Sequence, residues 1–193
     1  MDKNNLFPVF LKLEHLRILI VGGGYVGMEK LSAILQNSPA TKIKLVATVI
    51  SDEIKSLARN YPSINLIEKS YAVTDMQEVD LVFAAVNDVA VSTAVVKDAN
   101  EKGLLVNAAD KPDLCDFYLS SVVQKGNLKI AISTNGKSPT IAKRLKEVLQ
   151  DALPNELDEL LDNIQAIRNT LTGDFQAKVD HLNDLTKGLV EKK

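Results

Sequence analysis

Residues 17–27 read R-I-L-I-V-G-G-G-Y-V-G. An apolar run, Ile18, Leu19, Ile20 and Val21, meets Gly22, Gly23 and Gly24, and Gly27 follows. Gly22, Gly24 and Gly27 fit G-x-G-x-x-G. The first glycine of that pattern allows a tight turn out of a buried strand. The second lets backbone approach a pyrophosphate with no Cβ in the way, and the third lets the next helix pack closely on the strand. The helix start then offers unpaired N–H groups and a partial positive charge to the phosphates. Val26, Leu31, Ile34 and Leu35 give the following segment a helical apolar face. The chain is therefore expected to begin with a dinucleotide-binding unit, with Gly22, Gly23, Gly24, Tyr25, Val26 and Gly27 around the phosphates.

Alternation continues after this motif. The patterning predicts strands at 17–21, 42–47, 64–68, 81–85 and 104–107, and helices at 25–36, 51–60 and 88–102. Strands such as L-V-F-A-A are apolar throughout, as expected when both faces of a parallel sheet are covered. Ser51 reads as a helix N-cap and Gly103 as a helix stop. The pattern changes after Pro112. Segments 117–124 and 128–133 flank K-G-N and predict a β-hairpin. Ser138 with Pro139 predicts the start of a helix running to about Leu153, with Pro154 ending it. Leu157, Leu160, Leu161, Ile164, Ile167 and Leu171 form one helical stripe. Gly173 breaks it, and Phe175, Val179, Leu182 and Leu189 form a second. The expected class is α/β. A parallel sheet occupies 1–112, a hairpin-and-helix segment 113–153 and a helical region 154–193.

Composition narrows the function classes. Among 193 residues, 46% are hydrophobic, enough for a sizeable core, and the net charge is −2, which argues against a sequence-independent nucleic-acid binder. One cysteine, Cys115, rules out an intrachain disulfide and fits a cytoplasmic setting. Without a nearby histidine it reads as a small packing residue. No signal-peptide pattern and no apolar run of membrane-spanning length is present. His15 and His181 are far apart, and no metal-ligand spacing is found.

Asp110 stands just past the fifth predicted strand, in N-A-A-D-K-P. Ligands bind outside the carboxyl ends of open parallel sheets, so a carboxylate there faces the cleft and can accept a proton. An Asx-turn before Lys-Pro explains the same residue without chemistry. Ser133, Thr134, Asn135, Gly136, Lys137 and Ser138 form a polar loop entering a helix N-terminus, an anion site in pattern, with Arg144 on the helix behind it. A simple capped helix start is the plainer explanation. The second strand ends Ala47-Thr48-Val49, without the acid that usually meets the ribose of NAD and without an arginine for a 2′-phosphate. Thr48, or backbone, is left to hold the ribose.

Four motifs in order carry a resemblance: L-F-P-V-F-L-K-L, I-L-I-V-G-G-G-Y-V-G-M-E-K, N-A-A-D-K-P-D-L-C-D-F and I-A-I-S-T-N-G-K-S-P-T-I-A-K-R-L. Over about residues 5–153 the chain resembles the precorrin-2 dehydrogenase/sirohydrochlorin ferrochelatase module of siroheme synthase. The resemblance implies a Rossmann-like domain and NAD-dependent oxidation of precorrin-2 to sirohydrochlorin, followed in some members by insertion of Fe2+ to give siroheme. It places the family's essential aspartate on Asp110 and cofactor contacts on the glycines, Thr48 and Val49. The tetrapyrrole-bordering loop falls on 133–138. It implies a homodimer with the segment after the Rossmann unit exchanged. No methyltransferase domain follows in this sequence, so a separate uroporphyrinogen methyltransferase is expected to supply precorrin-2. The chain departs from the pattern at Thr48-Val49, where many members have Pro-Glu, at Ser120 for a common proline, and at Thr134 for a second serine. The contrasting expectation is an NAD-sensing regulatory module, which would need the glycine loop but neither Asp110 nor Lys137.

Overall fold

The computed structural model describes residues 4–155, 157–172 and 174–187. Residues fall into two compact units, Asn5–Leu119 and a second that begins at Ser120.

The first unit holds a five-stranded parallel sheet in the order β3-β2-β1-β4-β5. Its strands are β1 (Arg17–Val21), β2 (Lys42–Ala47), β3 (Ile64–Glu68), β4 (Leu81–Ala84) and β5 (Leu105–Ala108), and its helices are α1 (Tyr25–Asn37), α2 (Asp52–Ala58) and α3 (Val89–Glu101). Side chains alternate between the two faces. Ile18, Ile20, Ile43, Leu45 and Phe83 pack with Leu31, Ile34 and Leu35 of α1 and Ile54 of α2. Leu19, Val21, Val46, Val82 and Val106 pack with Val95, Val96 and Ala99 of α3. Both faces are covered at the centre, so β4 and residues 18–21 of β1 are apolar and buried throughout, whereas β2 carries Lys42 and Lys44 and the edge strand β3 carries Asn65 and Glu68. Ser51 Oγ caps α2 by accepting from Ile54 N at 3.4 Å, and Asp88 caps α3 by accepting from Val91 N at 3.0 Å.

The sheet order reverses at β1, whose neighbours are β2 and β4. Such a switch point opens a crevice at the carboxyl ends of the strands. The opposite end is clamped by Asp80, whose carboxylate accepts from Arg17 N at 2.8 Å, Arg17 Nε at 2.9 Å and Arg17 Nη2 at 3.0 Å. These bonds hold the Asp80 carboxyl down at about 2.

β5 lies at the sheet edge, and the chain folds back to cover it. Asp116 N donates to Val106 O and Asp116 Oδ2 accepts from Val106 N, both at 2.9 Å. Asn107 Nδ2 donates to Phe117 O at 2.9 Å. The Phe117 ring meets Phe83 edge-on, with centroids 5.4 Å apart. These contacts correct the expected hairpin. Residues 117–119 end the first unit, with Phe117 packed against it, and the strand begins only at Ser121.

The second unit contains the antiparallel pair β6 (Ser121–Lys125) and β7 (Leu128–Ile132), then α4 (Pro139–Ala152), α5 (Leu157–Thr170) and α6 (Phe175–Thr186). The hairpin turn is tied to α5, because Asp158 Oδ1 accepts from Asn127 N at 2.8 Å and Asn127 Nδ2 at 3.0 Å. Helix α4 packs Ala142 inward. Its Ile141, Leu145 and Val148, four and three residues apart, stay exposed at 56%, 44% and 62%. The expected break at Gly173 and Leu189 of the second stripe lie outside the described residues. No described helix is long and apolar enough to cross a membrane.

Candidate functional site

A cleft of about 680 Å3 opens at the carboxyl ends of β1, β2 and β4. Its floor is the turn Gly22-Gly23-Gly24 with Tyr25 and Val26. One wall is Ala47, Thr48 and Val49 with Ser70 and Tyr71, and the other runs from Ala85 to Asp88 and along α3. Of the sequence-predicted cofactor residues, Gly22, Gly23, Gly24, Tyr25, Val26, Thr48 and Val49 line this cleft.

Each glycine has its own reason. Gly22 has φ +127°, and a Cβ there would fall on the Ala85 carbonyl. Gly27 is not in the lining. It is buried in α1, where a Cβ would fall on the Gly22 carbonyl oxygen, so it sets how closely helix and turn approach. Gly23 is tight against the end of β2, since a Cβ there would strike Val49 O and stand 2.9 Å from Ala47 Cβ. Two backbone bonds of 2.9 Å fix that approach, Gly22 N to Val46 O and Ser51 N to Gly23 O.

Gly24 differs from all three. Its φ of −97° suits any residue, and a Cβ would meet nothing within 4 Å. Neither packing nor backbone conformation of the chain requires glycine there. The open space lies in the cleft, at the N-cap of α1, where a pyrophosphate needs close backbone approach. The residues present therefore fit a dinucleotide.

Asp110 lies at the same end of the sheet, two residues past β5, outside the cleft lining. It is exposed and has φ +58°, a left-handed conformation that aspartate tolerates better than most residues. Cys115 holds this turn together. Its Sγ accepts from Ala108 N at 3.2 Å and donates to Ala108 O at 3.1 Å or Lys111 O at 3.3 Å. Burial pushes the Cys115 thiol up, which keeps it in the hydrogen-bonding, unreactive form. Sequence reasoning missed this bracing role, and missed Asn107, which ties Phe117 to the same strand. Lys111, next to Asp110, buries its Nζ without a hydrogen-bond partner among the described residues.

The loop 133–138 belongs to the second unit. Thr134 closes it. Its Oγ1 donates to Ser138 O and accepts from Ser138 N, both at 3.1 Å. Ser133 Oγ accepts from Asn135 N at 3.2 Å, and Ser138 Oγ caps α4 by accepting from Ile141 N at 3.2 Å. Asn135 and Gly136 both have positive φ, at 53° and 74°. Arg144, exposed on α4, pairs with Glu147 at 2.7 Å. The hydroxyls of this loop thus serve its own shape, and Lys137 carries its charge. Among the described residues no group of three or more His, Cys, Asp or Glu is placed to hold a metal ion.

Comparison with known proteins agrees with this geometry. Residues 9–121 match the family described as putative NAD(P)-binding, and residues 125–152 match the sirohaem biosynthesis protein central family. A siroheme synthase of Methylococcus capsulatus is 36% identical over 79% of this chain and 32% of its own length. One of Psychrobacter cryohalolentis is 34% identical over 92% of this chain and 33% of its own length. The chain thus spans about a third of the length of these curated relatives. Among solved structures, SirC, a precorrin-2 dehydrogenase, superposes with a TM-score of 0.74 at 25% identity, covering 93% of this chain and 89% of that one. With a turn that fits close phosphate approach and a family match over more than half its length, the chain belongs to the putative NAD(P)-binding family.

Proposed function

We propose that this chain is an NAD-dependent dehydrogenase that oxidises precorrin-2 to sirohydrochlorin in siroheme biosynthesis. The observation that carries the reading is the open space above Gly24, which the protein itself leaves unexplained. The superposition on a precorrin-2 dehydrogenase supports the choice of substrate.

Bound in the cleft, the nicotinamide supplies the hydride acceptor. The protein's part is binding, orientation and proton handling. Gly22, Gly23 and Gly24 and the start of α1 hold the pyrophosphate, and Thr48 and Val49 border the ribose. Oxidation removes a hydride and a proton. The Asp110 carboxylate, presented by the turn braced by Cys115, accepts the proton. The substrate is a polycarboxylate, and the loop Ser133, Thr134, Asn135, Gly136, Lys137 and Ser138 receives its acidic side chains. Lys137 is the cation on the loop itself, and Arg144, in an exposed pair with Glu147, adds a second on α4. The exposed Ile141, Leu145 and Val148 face of α4 supports a homodimer formed through the second unit. Precorrin-2 comes from a uroporphyrinogen methyltransferase, and the setting is cytoplasmic.

An anaerobic assay with precorrin-2 and NAD+, followed by the absorbance of sirohydrochlorin and then by addition of Fe2+, tests the reading. Sirohydrochlorin that forms and persists supports a dehydrogenase alone. Onward conversion to siroheme above the metal-only blank adds ferrochelatase activity to the same chain. No sirohydrochlorin, with NAD+ still bound, overturns the proposal.

A further inference from the structure

Selection between NAD+ and NADP+ rests on charge at the end of β2. A carboxylate about twenty residues beyond the third glycine accepts the adenosine 2′-hydroxyl, whereas an arginine accommodates a 2′-phosphate. In this chain that position falls on Ala47, followed by Thr48 and Val49, all in the cleft lining and all uncharged.

Neighbouring charges do not replace the missing group. Glu68 is the register partner of Ala47 on β3. Its Oε1, however, accepts from Lys55 Nζ at 2.9 Å and Ile50 N at 3.2 Å, so its charge is spent on shaping the loop after β2. Lys69 Nζ is bonded to Asp75 Oδ2 at 2.8 Å, and the same oxygen accepts from Ala72 N at 2.9 Å. Tyr71 donates its hydroxyl to Asp98 at 2.7 Å. Asp88, across the cleft, is occupied as the cap of α3. Neither a free carboxylate to repel a 2′-phosphate nor a free cation to attract one stands at this wall among the described residues. Its polar offer to the 2′ position is the hydroxyls of Thr48 and Ser70.

We propose that the ribose wall of this chain discriminates weakly, so that NADP+ binds within tenfold of NAD+. The inference rests on the dinucleotide reading of the cleft and goes beyond it, because that reading holds for either cofactor.

Titration calorimetry of the full chain with NAD+ and with NADP+, without tetrapyrrole, gives the two Kd values directly. The same pair of titrations is run on Ala47→Asp and on Thr48→Asp. The second variant guards against a folding defect in the first, since Ala47 Cβ lies close to Gly23 while Thr48 is exposed. The expected result is a wild-type Kd ratio below ten. In a carboxylate variant the ratio shifts roughly tenfold or more toward NAD+, from like-charge repulsion of the 2′-phosphate. A wild-type preference for NAD+ above tenfold overturns the proposal and leaves the dinucleotide reading standing. Binding of neither nucleotide overturns both.

Discussion

Alanine at Gly24 and alanine at Gly27 should have opposite consequences, although the two glycines belong to one motif. At Gly24 the backbone is ordinary and the Cβ enters open space. Alanine is a poorer N-cap than glycine by about 0.5–1 kcal/mol. Its stiffer unfolded chain returns about 0.4–1 kcal/mol. The fold should therefore change in stability by less than about 1 kcal/mol, a Tm shift within about 4 °C for a chain of this size. The methyl would nevertheless stand where the pyrophosphate approaches, and NAD+ affinity should fall at least tenfold, about 1.4 kcal/mol. At Gly27 the methyl collides with the Gly22 backbone oxygen. Overpacking against backbone costs about 1–3 kcal/mol. Better helix propensity offsets about 1 kcal/mol of that, leaving a net loss of up to about 2 kcal/mol. Thermal denaturation with and without NAD+, together with calorimetric titration, reads both quantities on both variants. If Gly24→Ala bound NAD+ within twofold of the wild type, the close-approach reasoning would be refuted. A Gly24→Ala protein as destabilised as Gly27→Ala would refute the packing reasoning.

Asp110→Asn keeps a residue that tolerates positive φ but removes the proton acceptor, so turnover should drop about a hundredfold or more with NAD+ binding retained. Asp110→Gly should lose the same activity while matching or exceeding wild-type stability, because it relieves about 1 kcal/mol of left-handed strain. Turnover above a tenth of the wild type in Asp110→Asn would reduce Asp110 to a turn residue. The Arg17–Asp80 clamp depresses the Asp80 carboxyl to about 2 from its ordinary 3.8. Its contribution is thus present above pH 3.8 and lost as the pH falls through about 2. The Tm gap between wild type and Asp80→Asn should close over that interval, and a gap constant down to pH 2 would contradict the assignment. Leu145→Glu places a charge in the middle of the exposed α4 face and should convert a dimer to a monomer by sedimentation analysis. An unchanged oligomeric state would remove that face from the interface.

The sheet was readable because its central strands β1 and β4 are nearly continuous apolar runs and several helices carry their own punctuation. Ser51, Asp88 and Ser138 cap where polar residues precede apolar periodicity. The expected hairpin began four residues early for a physical reason. Residues 117–120 carry strand-like side chains, yet Phe117 is recruited to Phe83 and its carbonyl to Asn107. Period alone cannot distinguish a strand that pairs from an extended segment that closes an edge. The cleft residues were legible because the glycine spacing encodes a backbone requirement. What each glycine does became visible only with the neighbouring backbone in place, since Gly23 answers to Val49 and Ala47, residues distant in sequence. Cys115 looked like a packing residue, and its two-way bonding to Ala108 depends on a turn that no local pattern announces. The positive φ of Asp110 was equally hidden, because an aspartate before Lys-Pro suits several turns.

The most direct test is stoichiometric. Precorrin-2 and NAD+ are incubated anaerobically with the chain, and NADH is followed at its nicotinamide band beside sirohydrochlorin at its own. Equal amounts of the two products, formed together and absent with Asp110→Asn, are what an NAD-dependent precorrin-2 dehydrogenase predicts. Sirohydrochlorin without NADH, or neither product from protein that binds NAD+, would contradict it.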